Sequence, residues 1–165
     1  MRSAVACSVF LAGVLAGAML APGAAQESRL PGENYLNHVA ISVPDFEAAF
    51  AFYTQKMGFR EAFTVRNAQG QPTLAYVQVS RNTFIELQPA NPNRPPGLNH
   101  FGLHVENVAR VVETLKQRGV TVDAIRVRPD DASVANATDP NGIRIELFEF
   151  GPASPQGKAI ASWKR

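Results

Sequence analysis

The chain has 165 residues with 16 Lys and Arg against 14 Asp and Glu, a formal net charge of +2. A charge so evenly balanced gives no extended field for nucleic acid or an anionic membrane surface. Cys7 is the single cysteine and stands close to the start, so the remainder of the chain has no disulfide, thiolate metal ligand or cysteine nucleophile.

Residues 1–25 read as a secretory signal peptide. Arg2 supplies a short positive start, VFLAGVLAGAML is an apolar run without charge, and Pro22 to Ala25 supply small residues before Gln26. The run is short for a membrane span of about 20 residues, and Cys7 precedes it rather than ending it, which does not suit a lipid anchor. Cleavage after Ala25 is expected to leave 140 of the 165 residues, with no cysteine and no membrane segment. That length suits one domain with one core. The expected destination is exported: periplasmic or secreted.

Residues 26–36 read as a loosely structured lead-in, and Asn37 to Val43 as a strand. Asp45 is a plausible N-cap for a helix whose Phe46, Ala49, Phe50 and Tyr53 recur at helical spacing, with Gly58 as its stop. FREAFTV, TLAYVQV and TFIELQ read as three strands separated by turns at NAQGQP and Arg81-Asn82. PANPNRPPG, residues 89–97, carries Pro89, Pro92, Pro95 and Pro96 and reads as a stiff, extended linker. The order then repeats. NHFGLHV is a strand; a helix with Val108, Val111, Val112 and Leu115 on one face ends before Gly119; TVDAIRV and ASVANAT are weaker strands. DPNG (139–142) is a turn, and IRIELFEF closes the module. Residues 151–165 read as a polar tail, whose Trp163 either docks or hangs free. The fold class is α+β: two modules, about 35–88 and 98–150, within a domain spanning 26–150.

The repeat carries chemistry. His38 and His100 open the two modules 62 residues apart, and Glu86 and Glu146 close them, 48 and 46 residues after their histidines. Strand alternation puts Phe84, Glu86 and Gln88 opposite Ile85 and Leu87, and Arg144, Glu146 and Phe148 opposite Ile143, Ile145 and Leu147. Both carboxylates therefore face away from the aliphatic rows that pack under the helices. His38 shares its face with Ala40 and Ser42, and His100 with Gly102 and His104, so small residues leave space beside each ring. Two imidazoles and two carboxylates at matching positions of a repeat suit a borderline divalent metal.

The segments NHVAISVPDFEAAFAFYTQKMGF, FIELQ, NHFGLHVENVARVVETLKQRGV and DPNGIRIELFEF together resemble the vicinal-oxygen-chelate superfamily, which includes glyoxalase I, extradiol dioxygenases, methylmalonyl-CoA epimerase and the fosfomycin and bleomycin resistance proteins. The resemblance covers about Tyr35 to Phe150. It implies paired βαβββ modules that form a cupped mixed sheet with helices on the convex side. The ligand pattern of glyoxalase I falls on His38, Glu86, His100 and Glu146, all intact here. The resemblance also implies an enzyme that loads nickel, cobalt, zinc or manganese, iron fitting less well because the extradiol pattern uses only one glutamate. It implies a glyoxalase I-like lyase or isomerase acting on a small oxygen-chelating substrate through a metal-stabilised enolate, with Glu146 as the base or, by pseudo-symmetry, Glu86.

Two further residues are candidates for substrate contact. His104, four places after His100 on the same strand face, is either a second acid/base or substrate contact or a rim histidine in water. Arg144, two before Glu146, is a candidate for an anionic group of the substrate. A non-catalytic small-molecule binding or resistance protein, and a ring-cleaving dioxygenase, are the alternative functions. A homodimer is expected because the edges of a cupped sheet would otherwise stay unpaired; the site then forms either within one chain or between two.

Overall fold

The computed structural model describes residues 29–130 and 132–164; the expected signal segment 1–25 lies outside the described residues. The strands are β1 (Asn34–Val43), β2 (Arg60–Arg66), β3 (Pro72–Ser80), β4 (Thr83–Pro89), β5 (Gly97–Val105), β6 (Arg126–Val127), β7 (Ser133–Thr138) and β8 (Arg144–Glu149). The helices are α1 (Phe46–Ala51), which runs on into one π-helical turn at Phe52–Lys56, α2 (Val108–Gln117) and α3 (Pro155–Ala161). All eight strands form one mixed sheet in the order β2-β3-β4-β1-β5-β8-β7-β6. Each module contributes four adjacent strands, and the modules join where β1 and β5 pair antiparallel.

Within each module the first strand runs parallel to the last, β1 with β4 and β5 with β8. Such a pair needs a crossover, and a helix supplies it. Asp45 caps α1 by accepting from Ala48 N at 2.9 Å, and Asn107 caps α2 by accepting from Arg110 N at 2.8 Å. The aliphatic stripe of α2, Val108, Val111 and Val112, packs on Val105, Ala135 and Leu147 to make the core of the second module. In α1 none of the apolar residues is fully buried, and Phe52 and Met57 are each 50% exposed. The sheet beneath it is closed all the same, with Ala75, Val77 and Leu87 at 0% exposure on the face opposite Glu86.

A second apolar cluster of this module lies on the concave face. Residues 151–164 are not a free tail: α3 is capped by Ser154, with Pro155 in its first turn, and lays Ala159 against Tyr76 and Phe84, with Ala62, Phe63, Leu74 and Ile160 around them. Tyr76 and Phe84 share the face of Glu86, so α3 packs into the cup of the first module, while among the described residues no helix covers that of the second. Arg60 ties the helix down, donating to Ala159 O at 2.9 Å, to Ser162 O at 3.1 Å, and to Gln78 Oε1. Trp163 docks, its ring 5.7 Å from the Arg60 guanidinium carbon.

Three other expectations are corrected. The lead-in is shorter than 26–36, because β1 begins at Asn34 and pairs Asn34, Tyr35 and Leu36 with β5. TVDAIRV is reduced to the two-residue β6 and one bridge from Val122 to Ala137. The linker is not extended: Pro89 belongs to β4 and Gly97 to β5, and between them Asn91 and Arg94 exchange backbone hydrogen bonds of 2.9 Å in both directions. The prolines rigidify a tight turn rather than a spacer, and it crosses the end of β1, where Ala90 N donates to Val43 O at 2.8 Å.

Because one guanidinium carries most of the polar anchorage of α3, Arg60→Ala is expected to cost about 1–3 kcal/mol and to lower the thermal midpoint by several degrees. Differential scanning calorimetry checks this; an unchanged midpoint would mean that apolar contacts alone hold the helix.

Candidate metal centre

The β1–β5 seam builds the site by register. His38 lies beside Gly102, which lies beside Glu146; Glu86 lies beside Ala40, which lies beside His100. Each row thus has one imidazole and one carboxylate flanking a residue with almost no side chain. Across two strand spacings, about 10 Å, the long side chains lean inward over the small residue and meet. The space is tight. A Cβ at Gly102 would collide with the His38 ring.

The four side chains converge within one chain. His38 Nε2 and His100 Nε2 are 3.1 Å apart. His38 Nε2 lies 3.5 Å from Glu86 Oε2 and 3.3 Å from Glu146 Oε2; His100 Nε2 lies 3.9 and 3.8 Å from the same two oxygens. One donor atom from each residue falls within 4.8 Å of the other three. A divalent cation with bonds of about 2.1 Å places neighbouring donors about 3.0–3.4 Å apart and opposite donors about 4.2 Å apart. The observed separations match that pattern.

The hydrogen bonds behind the rings decide what the donors are. His38 Nδ1 faces Asn37 Oδ1 at 3.0 Å, and His100 Nδ1 faces Asn99 Oδ1 at 2.7 Å. Each amide is oriented by a second contact, Asn37 Nδ2 to Asn82 O at 3.3 Å and Asn99 Nδ2 to Ser42 Oγ at 3.5 Å. An amide oxygen only accepts, so each Nδ1 carries the proton and each Nε2 presents a lone pair to the centre. Two lone pairs 3.1 Å apart, beside two carboxylates, with His38 at 0% and Glu86 at 4% exposure, form a cluster that a doubly positive ion completes and neutralises. The donor set fits the metal that the sequence implied.

The two carboxylates are not equivalent. Glu86 is clamped: the Tyr76 hydroxyl donates to Oε2 at 2.6 Å, and the Gln88 amide donates to Oε1. Burial, with the charges of Glu86 and Glu146, drives the Tyr76 hydroxyl well above its ordinary value, so it stays protonated as a donor. At the equivalent place in the second module, Asn136 pairs with Glu146, but its amide donates to Asp123 Oδ2 at 2.8 Å instead. Burial alone would push the Glu146 carboxyl up, but it is held below the ordinary range, with the Arg144 guanidinium nearby as a permanent positive charge. Glu146 also lines a cavity of about 90 Å³ with Arg126, Arg128 and Val134. Of the two carboxylates, Glu146 is the one that borders open space.

His100 is lowered to about 4, by burial first, against the pull of Glu146, and further by Arg144 and His38. It is a neutral ligand at neutral pH. Arg144 sits behind it, donating to Asn99 Oδ1 and touching the Nδ1 edge of the ring. His104 does not join the cluster. Its ring packs between Tyr35, 4.7 Å away, and Phe150, 4.5 Å away, and its Nδ1 is buried without a hydrogen-bond partner. Sequence reasoning missed Tyr76, Asn37 and Asn99. The asparagines carried a signal, since each module's histidine follows an Asn; Tyr76 carried none, because the repeat puts Asn136 in its place.

A family model described as the Glyoxalase/Bleomycin resistance protein/Dioxygenase superfamily matches residues 35–147. A lactoylglutathione lyase of Salmonella typhimurium is 31% identical over 123 residues, which span 69% of this chain and 91% of that protein. Among solved structures, a hypothetical protein from Bacillus halodurans superposes with a TM-score of 0.60 at 19% identity, over 72% of this chain and 96% of its own. A methylmalonyl-CoA epimerase from Mycobacterium tuberculosis superposes with a TM-score of 0.58 at 21% identity, over 71% and 88% of the two chains. The latter two likenesses carry the fold alone.

Gly102→Ala is expected to push the His38 ring off the centre. It leaves the aliphatic core untouched, so the variant should fold with a wild-type circular dichroism spectrum while cobalt affinity drops by about 10–100-fold. Wild-type affinity would show that His38 is not held by this packing.

Proposed function

The chain belongs to the glyoxalase, bleomycin resistance protein and dioxygenase superfamily, and on that premise we propose that it is a divalent-metal-dependent enzyme, a glyoxalase I-like lyase or isomerase acting on a small substrate that chelates through oxygen. The observation that carries this reading is the four-donor cluster within one chain, with both Nε2 lone pairs set by asparagines. Nickel, cobalt, zinc and manganese all accept such nitrogen and oxygen donors. When bound, the ion supplies positive charge opposite a substrate carbonyl as negative charge develops on its oxygen.

The protein's residues do the rest. Glu86, fixed by Tyr76 and Gln88, is the ligand that stays in place. Glu146, ionised at neutral pH and facing a cavity, is the group that takes the proton from the carbon beside the carbonyl and returns it to a neighbouring atom. This breaks the pseudo-symmetry between the glutamates in favour of Glu146 as base. Phe148, fully buried and with its ring centre 6.0 Å from that of His38, excludes water from one side of the site. Arg144 is the residue proposed to meet an anionic part of the substrate. His104, wedged between aromatic rings, is proposed to act at most as a wall.

Two attributes extend the proposal. The charge and apolar order of residues 1–25 supports export; a mature protein beginning at Gln26, read by N-terminal mass spectrometry of the periplasmic or secreted fraction, checks it, and retention of Met1 there would refute cleavage. The edge strands β2 and β6 offer unpaired backbone, and Val127 beside them is 75% exposed; these support a homodimer, which light scattering at monomer mass across micromolar concentrations would exclude.

Metal analysis of the purified chain should give one divalent ion per chain after reconstitution. His100→Ala and Glu146→Gln should each weaken binding by on the order of 100-fold or more. With the metal loaded, deuterium should wash in beside the carbonyl of an α-hydroxycarbonyl compound, the hemithioacetal of methylglyoxal and glutathione included. No metal after reconstitution would sink the metal-enzyme reading; metal without exchange across such compounds would favour a binding protein; iron with oxygen uptake on catechols would favour a dioxygenase.

A further inference from the structure

A second cavity, of about 520 Å³, lies over the linker end of the sheet and is lined by Gln88, Asn91, Asn93, Arg94, Asn99 and Arg144. Its lining contains two guanidiniums and four amides, and no carboxylate and no apolar side chain. Four elements bring these residues together: the end of β4, the starts of β5 and β8, and the turn between the modules. The reciprocal bonds between Asn91 and Arg94 fold the turn back so that both face the cavity.

The two cations are incompletely paired. Arg94 uses Nε and Nη2 on a single carbonyl, Pro89 O, at 3.2 and 2.8 Å, which locks its plane and, among the described residues, leaves Nη1 without a hydrogen-bond partner. Arg144 donates to Asn99 Oδ1 and, at 3.5 Å, to Asn136 Oδ1, both of them neutral acceptors. Among the described residues, no carboxylate lies within ion-pair distance of either arginine; the other basic pair near the centre, Arg126 and Arg128, faces Asp123 at 3.9 Å and Asp130 at 3.4 Å. A concave surface with two oriented, unneutralised guanidiniums and surrounding amide donors is chemically suited to a planar or tetrahedral oxyanion.

The basin also touches the metal centre from behind. Gln88 donates to Glu86 Oε1, Asn99 accepts from His100 Nδ1, and Arg144 contacts the same ring edge. On the other flank α3 packs over Tyr76 and Phe84 in the cup of the first module. We propose that this basin is an oxyanion-binding site, held by Arg94 and Arg144 with the amides of Asn91, Asn93 and Gln88, and that it receives the carboxylate or phosphoryl end of the substrate whose carbonyl end is presented to the four-donor centre. The place of the site in the reaction rests on the metal-enzyme reading; the binding of an oxyanion does not. The turn between the modules is then a specificity element of the enzyme and not only a connection.

Calorimetric titration of the full chain with sodium malonate and, separately, with inorganic phosphate tests this, at fixed ionic strength, in metal-loaded protein and in protein stripped by chelator. Saturable binding of one equivalent per chain is expected in both forms, tighter for malonate if the substrate end is a carboxylate and tighter for phosphate if it is phosphoryl. Arg94→Ala should weaken it about tenfold or more, since a charge-assisted pair is lost, while its metal content stays at the wild-type level. Arg81→Ala, on a separate surface, should leave binding unchanged and controls for net charge. No saturable binding of either anion overturns the proposal, as does binding that appears only with metal present and survives Arg94→Ala, or an equal loss in Arg81→Ala. Because Arg94 touches no metal ligand, the two readings separate: a wild-type chain that loads metal but binds neither anion sinks this proposal alone, and a chain that binds the anion but no metal sinks the enzymatic reading alone.

Discussion

The structure depends on the pairing of β1 with β5, and in particular on two small residues at that seam. Ala40 and Gly102 each stand between an imidazole and a carboxylate in a row across the sheet. Side chains on neighbouring strands normally stand side by side, perpendicular to the sheet. Removing the side chain from the middle of each row lets its flanks lean together, and two such rows, two residues apart on the same strands, make the square of donors. Any larger residue at Gly102 displaces His38 directly. The helices, the crossovers and the linker turn all serve to hold that seam in register.

Energetically the centre is a liability that its surroundings partly offset. Two carboxylates and two imidazoles, none more than 9% exposed, have lost most of their hydration, and burial opposes charge on each. The structure answers with polar contacts placed behind the donors: Asn37 and Asn99 on the rings, Tyr76 and Gln88 on Glu86. These fix tautomer and orientation, but they leave the net negative charge of the cluster in place. A divalent cation is the complement that this arrangement lacks in its own side chains. The same contacts are distributed unevenly: Tyr76 and Gln88 clamp Glu86, while Glu146 borders a small cavity, and the proposed role of Glu146 as base rests on that asymmetry.

Much of this was legible in the sequence, because the repeat marks it twice. The His-to-Glu spacing, the strand alternation around Glu86 and Glu146, and the caps at Asp45 and Asn107 are local or periodic signals, and each lands where the pattern put it. What was not legible depends on partners distant in sequence. Tyr76 reaches Glu86 across a strand pair and has no counterpart in the second module. The C-terminal helix carries a Ser-Pro start at Ser154 and Pro155, a readable N-cap signal, but its docking on Tyr76 and Phe84 follows from an uncovered apolar patch that only the folded sheet displays. The linker's prolines restrict the backbone without stating whether it turns or extends; the bonds between Asn91 and Arg94 settle that. TVDAIRV has strand composition, yet Asp123 is drawn off to Asn136, and only Arg126 and Val127 remain in the ladder.

The central claim is that His38, Glu86, His100 and Glu146 of a single chain bind one divalent ion through the imidazole Nε2 atoms. A crystal structure of the cobalt-loaded protein, with the ion placed by anomalous scattering at the cobalt edge, tests it most directly. The account predicts one peak per chain within about 2.0–2.2 Å of both Nε2 atoms and of one oxygen from each glutamate. It also predicts that Asn37 and Asn99 still accept from Nδ1. Cobalt held elsewhere, ligated through Nδ1, or shared between His38 and Glu86 of one chain and His100 and Glu146 of another would contradict it.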